Sequence, residues 1–189
     1  TLQGGLWEPW ITAMDDSKKP YFQWFVGGIT NAAFSEIDRH VAEGHGAETA
    51  VIEDSVEWDW AAADGLGAPL DFSECCRQDL LLKTVVAANA LQQEGVQQGS
   101  CVGIAMHNTL SQLVWIEACK RIAVVYTAVP PTISAHSLAD RVHELRTQVV
   151  VTDTAMIGVT RQALRDFWSI EELCAQTSKF DGCAAFQES

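Results

Sequence analysis

The sequence predicts an α/β fold with a largely parallel sheet and flanking helices, and two observations carry this prediction. Three runs rich in β-branched or small apolar residues, at 101–106, 123–129 and 148–152, have the length of buried strands. Residues 110–121 and 134–146 separate these runs with helical periodicity. Because parallel neighbours are joined by long crossovers, this alternation indicates right-handed β–α–β units.

The composition limits the size class and the partners of the chain. Hydrophobic residues make up 48% of the 189 residues, which is enough to bury the core of one domain or one large subdomain. Lysine and arginine number 12 against 25 acids, so the formal net charge is −13. We therefore expect no nucleic-acid partner and no anionic membrane surface, because both are bound through a cationic face. No window approaches the roughly 18 consecutive apolar residues of a membrane span, and no leader pattern opens the sequence, so we expect a cytoplasmic protein.

The first 34 residues are rich in aromatic side chains but show neither helical nor strand periodicity. Each aromatic side chain buries a large area, so residues 1–34 are predicted to form an irregular aromatic arm that lies across another surface. That surface need not lie within this chain. The aromatic residues are Trp7, Trp10, Tyr21, Phe22, Trp24 and Phe25.

Residues 35–155 form the predicted α/β subdomain. Ser35 is expected to cap a helix that ends near Gly44, and a short strand follows at 49–53. Glycines, a proline and several acids mark residues 54–72 as a loop insertion between two ordered parts.

A long helix is predicted to begin at Ser73, with Gly95 placed as its C-terminal stop. The double proline at 130–131 ends the second parallel strand. Either Ser134 or Ser137 is then expected to cap the next helix.

Residues 156–189 are predicted to be a helical continuation of an incomplete domain, with amphipathic pieces at 160–168 and 170–176. Arg161 and Arg165 lie one turn apart, so their guanidinium groups can clamp a phosphate from one side. Equally, neighbouring acids can neutralise the pair on a solvated surface. The spacing leaves both interpretations open.

Local spacing alone reveals no catalytic motif. The phosphate-loop, dinucleotide-binding, zinc-protease and nucleophile-elbow patterns are all absent from the sequence. The six cysteines and five histidines do not form sets with metal-ligand spacing. We therefore predict no catalytic residue and no metal ligand within these 189 residues.

Several motifs together resemble a known family. The segment YFQWFVGG at 21–28, followed by Asn31 and by DRHV at 38–41, is similar to the N-terminal region of AMP-forming acetyl- and propionyl-CoA synthetases. That family has W-F-x-G-G-x-x-N followed by D-R-H. Further matches are ACKRIA at 118–123 and SLADRV at 137–142. The resemblance covers most of residues 7 to 155 and leaves out the insertion and the last thirty or so residues.

This resemblance implies the N-terminal part of an adenylate-forming ligase. In that family a carboxylate and ATP give an acyl adenylate and pyrophosphate, and the thiol of coenzyme A then displaces AMP. The whole enzyme would need ATP, Mg²⁺ and coenzyme A. The family's phosphate loop ending in P-K-G and its C-terminal lysine have no counterpart here. We therefore expect the segment alone to be inactive and to hold no cofactor.

The same resemblance implies where coenzyme A would be held. The family's F-G-G-F-S turn corresponds to PPTIS at 130–134, which includes Thr132. Of the family's arginine pair, the first position falls on Gly158 and the second on Arg161. Thr132 and Arg161 are therefore the implied cofactor-binding residues, and Arg161 would contact the 3′-phosphate. The DRH segment at 38–40 is interpreted as structural, because buried ionic groups need partners.

A more particular resemblance concerns the acyl substrate. The proline turn and the insertion are similar to the ligase section of trifunctional propionyl-CoA synthase, a multifunctional enzyme that also contains a dehydratase and an NADPH-dependent reductase. This implies 3-hydroxypropionate or propionate as the carboxylate, NADPH as a further cofactor, and the remainder of the synthetase as partner. A homo-oligomer is compatible with it. Two rival hypotheses are a catalytically dead, synthetase-like interaction module and a free-standing nucleotide-binding regulator.

Overall fold

The computed structural model describes residues 8–54 and 57–165. Within these ranges the chain forms nine strands and five helices, besides two π-helical turns, Phe34–Asp38 and Val41–His45. The strands are β1 (Thr12–Asp15), β2 (Gln23–Val26), β3 (Thr49–Asp54), β4 (Trp58–Asp59), β5 (Ala68–Pro69), β6 (Phe72–Cys76), β7 (Cys101–Ala105), β8 (Val125–Val129) and β9 (Val149–Thr152). The helices are α1 (Ala62–Gly65), α2 (Arg77–Gln93), α3 (Leu110–Arg121), α4 (Ala135–Glu144) and α5 (Ile157–Arg165).

The predicted parallel sheet is confirmed. Its order is β8–β7–β9, and both neighbours of β7 run parallel to it. Every residue of β7 is buried, as expected for a central strand covered on both faces. Gly103 lies at the middle of β7, where a Cβ atom would come within 3.3 Å of Val150 Cγ2. A small residue therefore lets the two strands pack closely.

Helices cover the two faces of this sheet. Val102 and Ile104 of β7 point to one face and pack in a core with residues of α2 and α3. Ala105 and Val150 belong to a second core, with residues of α4 and α5, on the opposite face. The period-two alternation of strand side chains thus separates the two cores. After β7 the chain turns towards one face of the sheet, and after β9 it turns towards the opposite face.

The first helical segment differs from its prediction at its start. Ser35 lies inside the π-helical turn Phe34–Asp38, so the predicted Ser35 cap is wrong. Asn31 takes that role, since its Oδ1 accepts a hydrogen bond of 3.3 Å from the Phe34 N–H. The end is confirmed, because Gly44 adopts φ 95° within the second turn.

The predicted helix start at Ser73 is wrong as well. Residues Phe72–Cys76 form β6, which pairs antiparallel with β3, and α2 begins only at Arg77. This pairing joins residues 18 to 27 positions apart, for example Ile52 with Glu74, so local periodicity could not reveal it. The C-terminal stop is confirmed, because Gly95 adopts φ 79° and Val96 N donates to Leu91 O, as in a Schellman motif.

The insertion at 54–72 is more ordered than a plain loop. Strands β4 and β5 pair antiparallel, and the single irregular turn α1 connects them. Gly67 adopts φ 82° beneath the Trp58 indole, where any Cβ would collide with Nε1 at 2.1 Å. Gly65 and Gly67, the two glycines that marked this segment as a loop, therefore lie in a small hairpin.

The aromatic arm contains a hairpin that its sequence pattern did not predict. Strands β1 and β2 pair antiparallel, with Met14 opposite Trp24. Most aromatic side chains of the hairpin remain exposed, and Trp24 keeps 64% of its surface accessible. Within the described part of the arm these rings contact each other, and the Trp10 and Phe25 centroids lie 5.1 Å apart.

The last predictions concern the ends of the elements. Ser134 caps α4, since its Oγ accepts a hydrogen bond of 3.1 Å from Ser137 N, which decides between the two serines. Helix α5 overlaps the predicted piece at 160–168, whereas the piece at 170–176 lies outside the described residues. No helix in the described ranges has the length and apolar character needed to cross a membrane.

Candidate functional site at the carboxyl edge of the parallel sheet

The carboxyl ends of the three parallel strands form the candidate site. Strands β7 and β9 are neighbours, yet the helices that follow them, α3 and α5, pack on opposite faces. This arrangement is a topological switch point. In open α/β sheets, ligands bind in the crevice that such a point creates outside the carboxyl ends of the strands.

Two polar side chains meet at this switch point. Asp153 directly follows Thr152, the last residue of β9, and His107 lies two residues beyond Ala105, the last residue of β7. The Asp153 Oδ2 accepts a hydrogen bond of 2.8 Å from the His107 backbone N–H and lies 2.7 Å from the imidazole Nδ1. The second oxygen, Oδ1, accepts a bond of 2.8 Å from Met156 N at the start of α5. One carboxylate therefore joins both strand ends to the next helix.

These hydrogen bonds fix the ionisation of Asp153. Partial burial raises the pKa of this carboxyl, but the bonds from the His107 backbone, the His107 ring and the Met156 backbone outweigh that effect and hold the pKa below its usual value. An ionised carboxylate only accepts, so the His107 Nδ1 must carry the shared proton. The opposite ring nitrogen, Nε2, makes no protein hydrogen bond within the described residues.

The predicted residue Thr132 lies at the same edge, after β8. It is exposed in a turn that the Ile133 N–H closes by donating to Pro130 O over 3.0 Å. The two prolines, Pro130 and Pro131, lack N–H groups, so this turn offers a ligand fewer backbone donors than the glycine turn of the related motif. The Thr132 hydroxyl remains available.

The predicted residue Arg161 lies on α5, which follows β9. Its side chain is exposed, and no carboxylate of the described residues pairs with it. Gly158, one turn earlier on the same helix, has nothing within 4 Å of the position of a Cβ. Arg165 is exposed too, and the acids proposed to neutralise the pair lie outside the described residues. The position that would hold a first arginine is therefore open space.

Thr132 and Arg161 belong to opposite flanks of this edge. They follow β8 and β9, which lie on either side of β7, and the residue that follows β7 between them is His107. Sequence reasoning missed the pairing of His107 with Asp153. The available signal was a polar residue directly after each of two buried strands.

The helix N-termini at this edge are already capped. Glu53 Oε2 accepts a hydrogen bond of 3.3 Å from Leu110 N at the start of α3. Ser134 caps α4, and Asp153 accepts from Met156 N before α5. Each of these helix N-termini therefore has one of its free N–H donors bonded to a side chain of the chain itself.

The DRH segment has a structural role at its aspartate, as predicted. Asp38 is buried and accepts two hydrogen bonds from the Arg121 guanidinium, at 3.0 and 2.5 Å. Asn31 Nδ2 also donates to Arg121 O over 2.9 Å. This pair ties the segment after the arm to the end of α3. Arg39 is exposed and His40 half-buried.

The remaining titratable groups suggest no reactive centre. Burial raises the pKa of the Cys119 thiol to about 12, so this sulfur stays protonated and is a poor nucleophile at neutral pH. Throughout residues 8–54 and 57–165, no three histidine, cysteine or acidic side chains come together in a way that could hold a metal ion.

Comparison with known proteins shows that the region containing this edge matches a protein family. The family described as "AMP-binding enzyme" matches residues 78–184, which include the whole parallel sheet. The acetyl-coenzyme A synthetase of Paraburkholderia phymatum is 32% identical over 152 residues, which are 80% of this chain and 21% of that protein. That of Deinococcus radiodurans is 34% identical over 140 residues, 74% of this chain and 20% of that protein. The chain thus spans about a fifth of the length of these relatives.

Proposed function

Because the chain belongs to the AMP-binding enzyme family, we propose that it forms the N-terminal part of an AMP-forming short-chain acyl-CoA synthetase. The reaction proposed for the whole protein converts a carboxylate, ATP and coenzyme A to an acyl-CoA, AMP and pyrophosphate. One observation carries the proposal: the switch point of the parallel sheet and the helix α5, which carries the exposed Arg161, both lie inside the region that the family matches. We assign this edge to the nucleotide end of coenzyme A.

The chemistry of the proposed reaction divides between this chain and the rest of the enzyme. ATP with Mg²⁺ would supply the leaving group that makes the carboxylate electrophilic. The residues described here would bind and orient coenzyme A. The Arg161 guanidinium would donate to the 3′-phosphate, and the Thr132 hydroxyl would donate to or accept from the ligand at the opposite flank. A local cation matters because the chain carries a net charge of −13, which repels a free polyphosphate.

We propose further that the carboxylate is propionate or 3-hydroxypropionate, within a multifunctional propionyl-CoA synthase that also uses NADPH. The stiff proline turn at 130–131 and the hairpin insertion at 54–72 support this assignment, since both depart from the acetyl-CoA synthetase pattern. The remainder of the synthetase, in the cytoplasm, would be the partner. An assay of the complete gene product with acetate, propionate and 3-hydroxypropionate tests the substrate, and NADPH oxidation tests the fusion.

A second candidate function is a synthetase-like interaction module without catalysis. The exposed aromatic side chains of the β1–β2 hairpin favour it, because a large apolar surface is typical of a docking site. The glycine at position 158 and the prolines at 130–131 are compatible with a lost coenzyme A site.

Carboxylate-dependent exchange of labelled pyrophosphate into ATP distinguishes the two functions. We expect the complete gene product to catalyse this exchange with a short-chain carboxylate, and the isolated 189 residues to be inactive. If the complete product forms no acyl adenylate with any short-chain carboxylate, the ligase proposal fails. Pyrophosphate exchange by the isolated segment at the rate of the complete product would contradict the proposal that the catalytic groups lie outside this segment.

A further inference from the structure

We propose that His107 contributes a further phosphate contact at the carboxyl edge through its Nε2, and that Asp153 is the residue that positions it. The ligand chemistry is a phosphate monoester, which we assign to the 3′-phosphate of coenzyme A. This inference rests on the proposed function, because it adds a residue to the coenzyme A edge. It adds a contact that the family resemblance did not supply.

The first argument is the rigidity of the imidazole. Asp153 Oδ2 bonds both the backbone N–H and the Nδ1 of His107, at 2.8 and 2.7 Å. The other oxygen of the carboxylate is bound to Met156 N, so it cannot turn away. A ring held at two points loses little rotational freedom when a ligand binds, which favours binding.

The second argument is the protonation that this geometry imposes. Since Nδ1 donates to the ionised Asp153 carboxylate, Nε2 is the ring nitrogen that remains for a ligand. At this nitrogen the imidazole can share a proton with an oxygen of a phosphate monoester in a hydrogen bond.

The third argument is the position of the ring. His107 is the residue that follows the central strand, between the flanks that carry Thr132 and Arg161. The side chain keeps 49% of its surface accessible even though one edge is bound to Asp153. The Gly158 position, where the related family has its first arginine, carries no side chain. A further phosphate contact at this edge would therefore come from His107.

The chain offers a matched control in His45. Its Nδ1 lies 2.6 Å from Glu48 Oε1, and its side chain is also 49% accessible. This pair resembles the His107 pair in bonding and exposure. It lies in the π-helical turn before β3, however, where no parallel strands end. Changes at His45 should therefore reproduce the structural effects of changes at His107 without touching the proposed site.

The decisive variant is His107→Asn in the complete gene product. An asparagine side-chain N–H can replace the Nδ1 donor to Asp153, but it has no group at the position of Nε2. Calorimetric titration with coenzyme A and with dephospho-coenzyme A, which lacks the 3′-phosphate, would measure the phosphate contact directly. We expect the preference for coenzyme A over dephospho-coenzyme A to fall about tenfold, with affinity for dephospho-coenzyme A unchanged. The control His45→Asn should leave both affinities unchanged.

Titration with ATP tests the source of the phosphate. The inference predicts that His107→Asn leaves ATP affinity unchanged. A loss of ATP affinity with the coenzyme A preference intact would overturn the assignment, and so would equal losses for coenzyme A and dephospho-coenzyme A. An unaltered preference in His107→Asn would reduce His107 to a structural role. If the unaltered complete product still binds coenzyme A in that experiment, the proposed function is retained and only the role of His107 is rejected. A complete product that binds no coenzyme A would contradict both the proposed function and the role of His107.

Asp153→Asn supplies a second, independent variant. Its amide oxygen can still accept at one position, but a neutral amide holds the Nδ1–H of His107 less strongly than a carboxylate does. We expect a smaller loss of coenzyme A preference than in His107→Asn, and no additional loss when both changes are combined. Full additivity of the two losses would contradict a positioning role for Asp153.

Discussion

Asp38 and Arg121 form a buried, two-point ion pair that joins the segment after the aromatic arm to the end of α3. Their side chains are 4% and 13% exposed, and both carboxylate oxygens bond the guanidinium. Removing one partner of such a pair leaves an uncompensated buried charge, whereas replacing both with apolar groups can be nearly neutral.

Asp38→Ala should therefore lower the free energy of unfolding of this chain by about 3–5 kcal/mol. The double change Asp38→Leu with Arg121→Met should lose less than either single change. Chemical denaturation followed by circular dichroism measures both. The exposed pair of Asp16 and Lys19, 2.7 Å apart, is the control, and Asp16→Ala should cost less than about 1 kcal/mol. Equal effects of Asp38→Ala and Asp16→Ala would contradict the structural role of the buried pair.

Asn31 should be more important for stability than the neighbouring Ser35. Its Oδ1 caps Phe34 N, and its Nδ2 donates to the carbonyl of Arg121. Asn31→Ala loses both bonds and should lower the free energy of unfolding by about 1–3 kcal/mol. Ser35→Ala, at the position that the sequence pattern favoured as a cap, should change it by less than about 0.5 kcal/mol. A larger loss of unfolding free energy for Ser35→Ala than for Asn31→Ala, measured by denaturation, would support Ser35 as the cap instead.

The stability contributed by Asp153 should depend on pH with a definite sign. Its pKa is lower in the folded chain than in the unfolded chain, so its contribution is fully present above the unfolded pKa and is lost as the pH falls through the folded pKa. The destabilisation caused by Asp153→Asn should therefore be present at pH 7 and should shrink below about pH 4. Paired denaturation curves across this range test it, and a penalty that grows on acidification would contradict it.

Cysteine reactivity should follow burial. Cys119 is fully buried and its pKa is raised to about 12, whereas Cys76 is only half-buried. Iodoacetamide at pH 8 should alkylate Cys76 in the folded chain long before Cys119, as peptide mass mapping would show. Preferential alkylation of Cys119 would mean that the core around α3 is open.

Gly158→Arg tests the open position on α5. Nothing lies within 4 Å of a Cβ at this residue, so the larger side chain can enter without a clash. A second guanidinium one turn before Arg161 should tighten coenzyme A binding by about tenfold and leave affinity for dephospho-coenzyme A unchanged. Equal gains for both ligands would indicate a contact away from the 3′-phosphate.

The sequence predicted what depends on local pattern and missed what depends on distant pairing. Strand β7 was recognisable from an unbroken run of small and apolar residues, and the end of α2 from Gly95, because glycine is the usual residue at a helix stop. The start of α2 was misplaced because Phe72–Cys76 is extended only through its pairing with β3. Within the candidate site, Thr132 and Arg161 came from the family resemblance.

The link between His107 and Asp153 escaped sequence reasoning for the same reason. These residues are 46 positions apart and meet only because β7 and β9 are neighbours in the sheet. The strand order, with β8 and β9 on opposite sides of β7, is not encoded in any one segment. Side-chain pairs at a switch point therefore become visible only when the fold is known.

The most direct test of the account is the kinetics of Arg161→Ala in the complete gene product. If the carboxyl edge binds coenzyme A, the KM for coenzyme A should rise about tenfold while carboxylate-dependent pyrophosphate exchange, which precedes coenzyme A binding, stays unchanged. The control Arg39→Ala removes an exposed arginine that is distant from Arg161 in the sequence. It should change neither the KM for coenzyme A nor the rate of pyrophosphate exchange. Loss of the exchange reaction with an unaltered KM for coenzyme A would contradict the account.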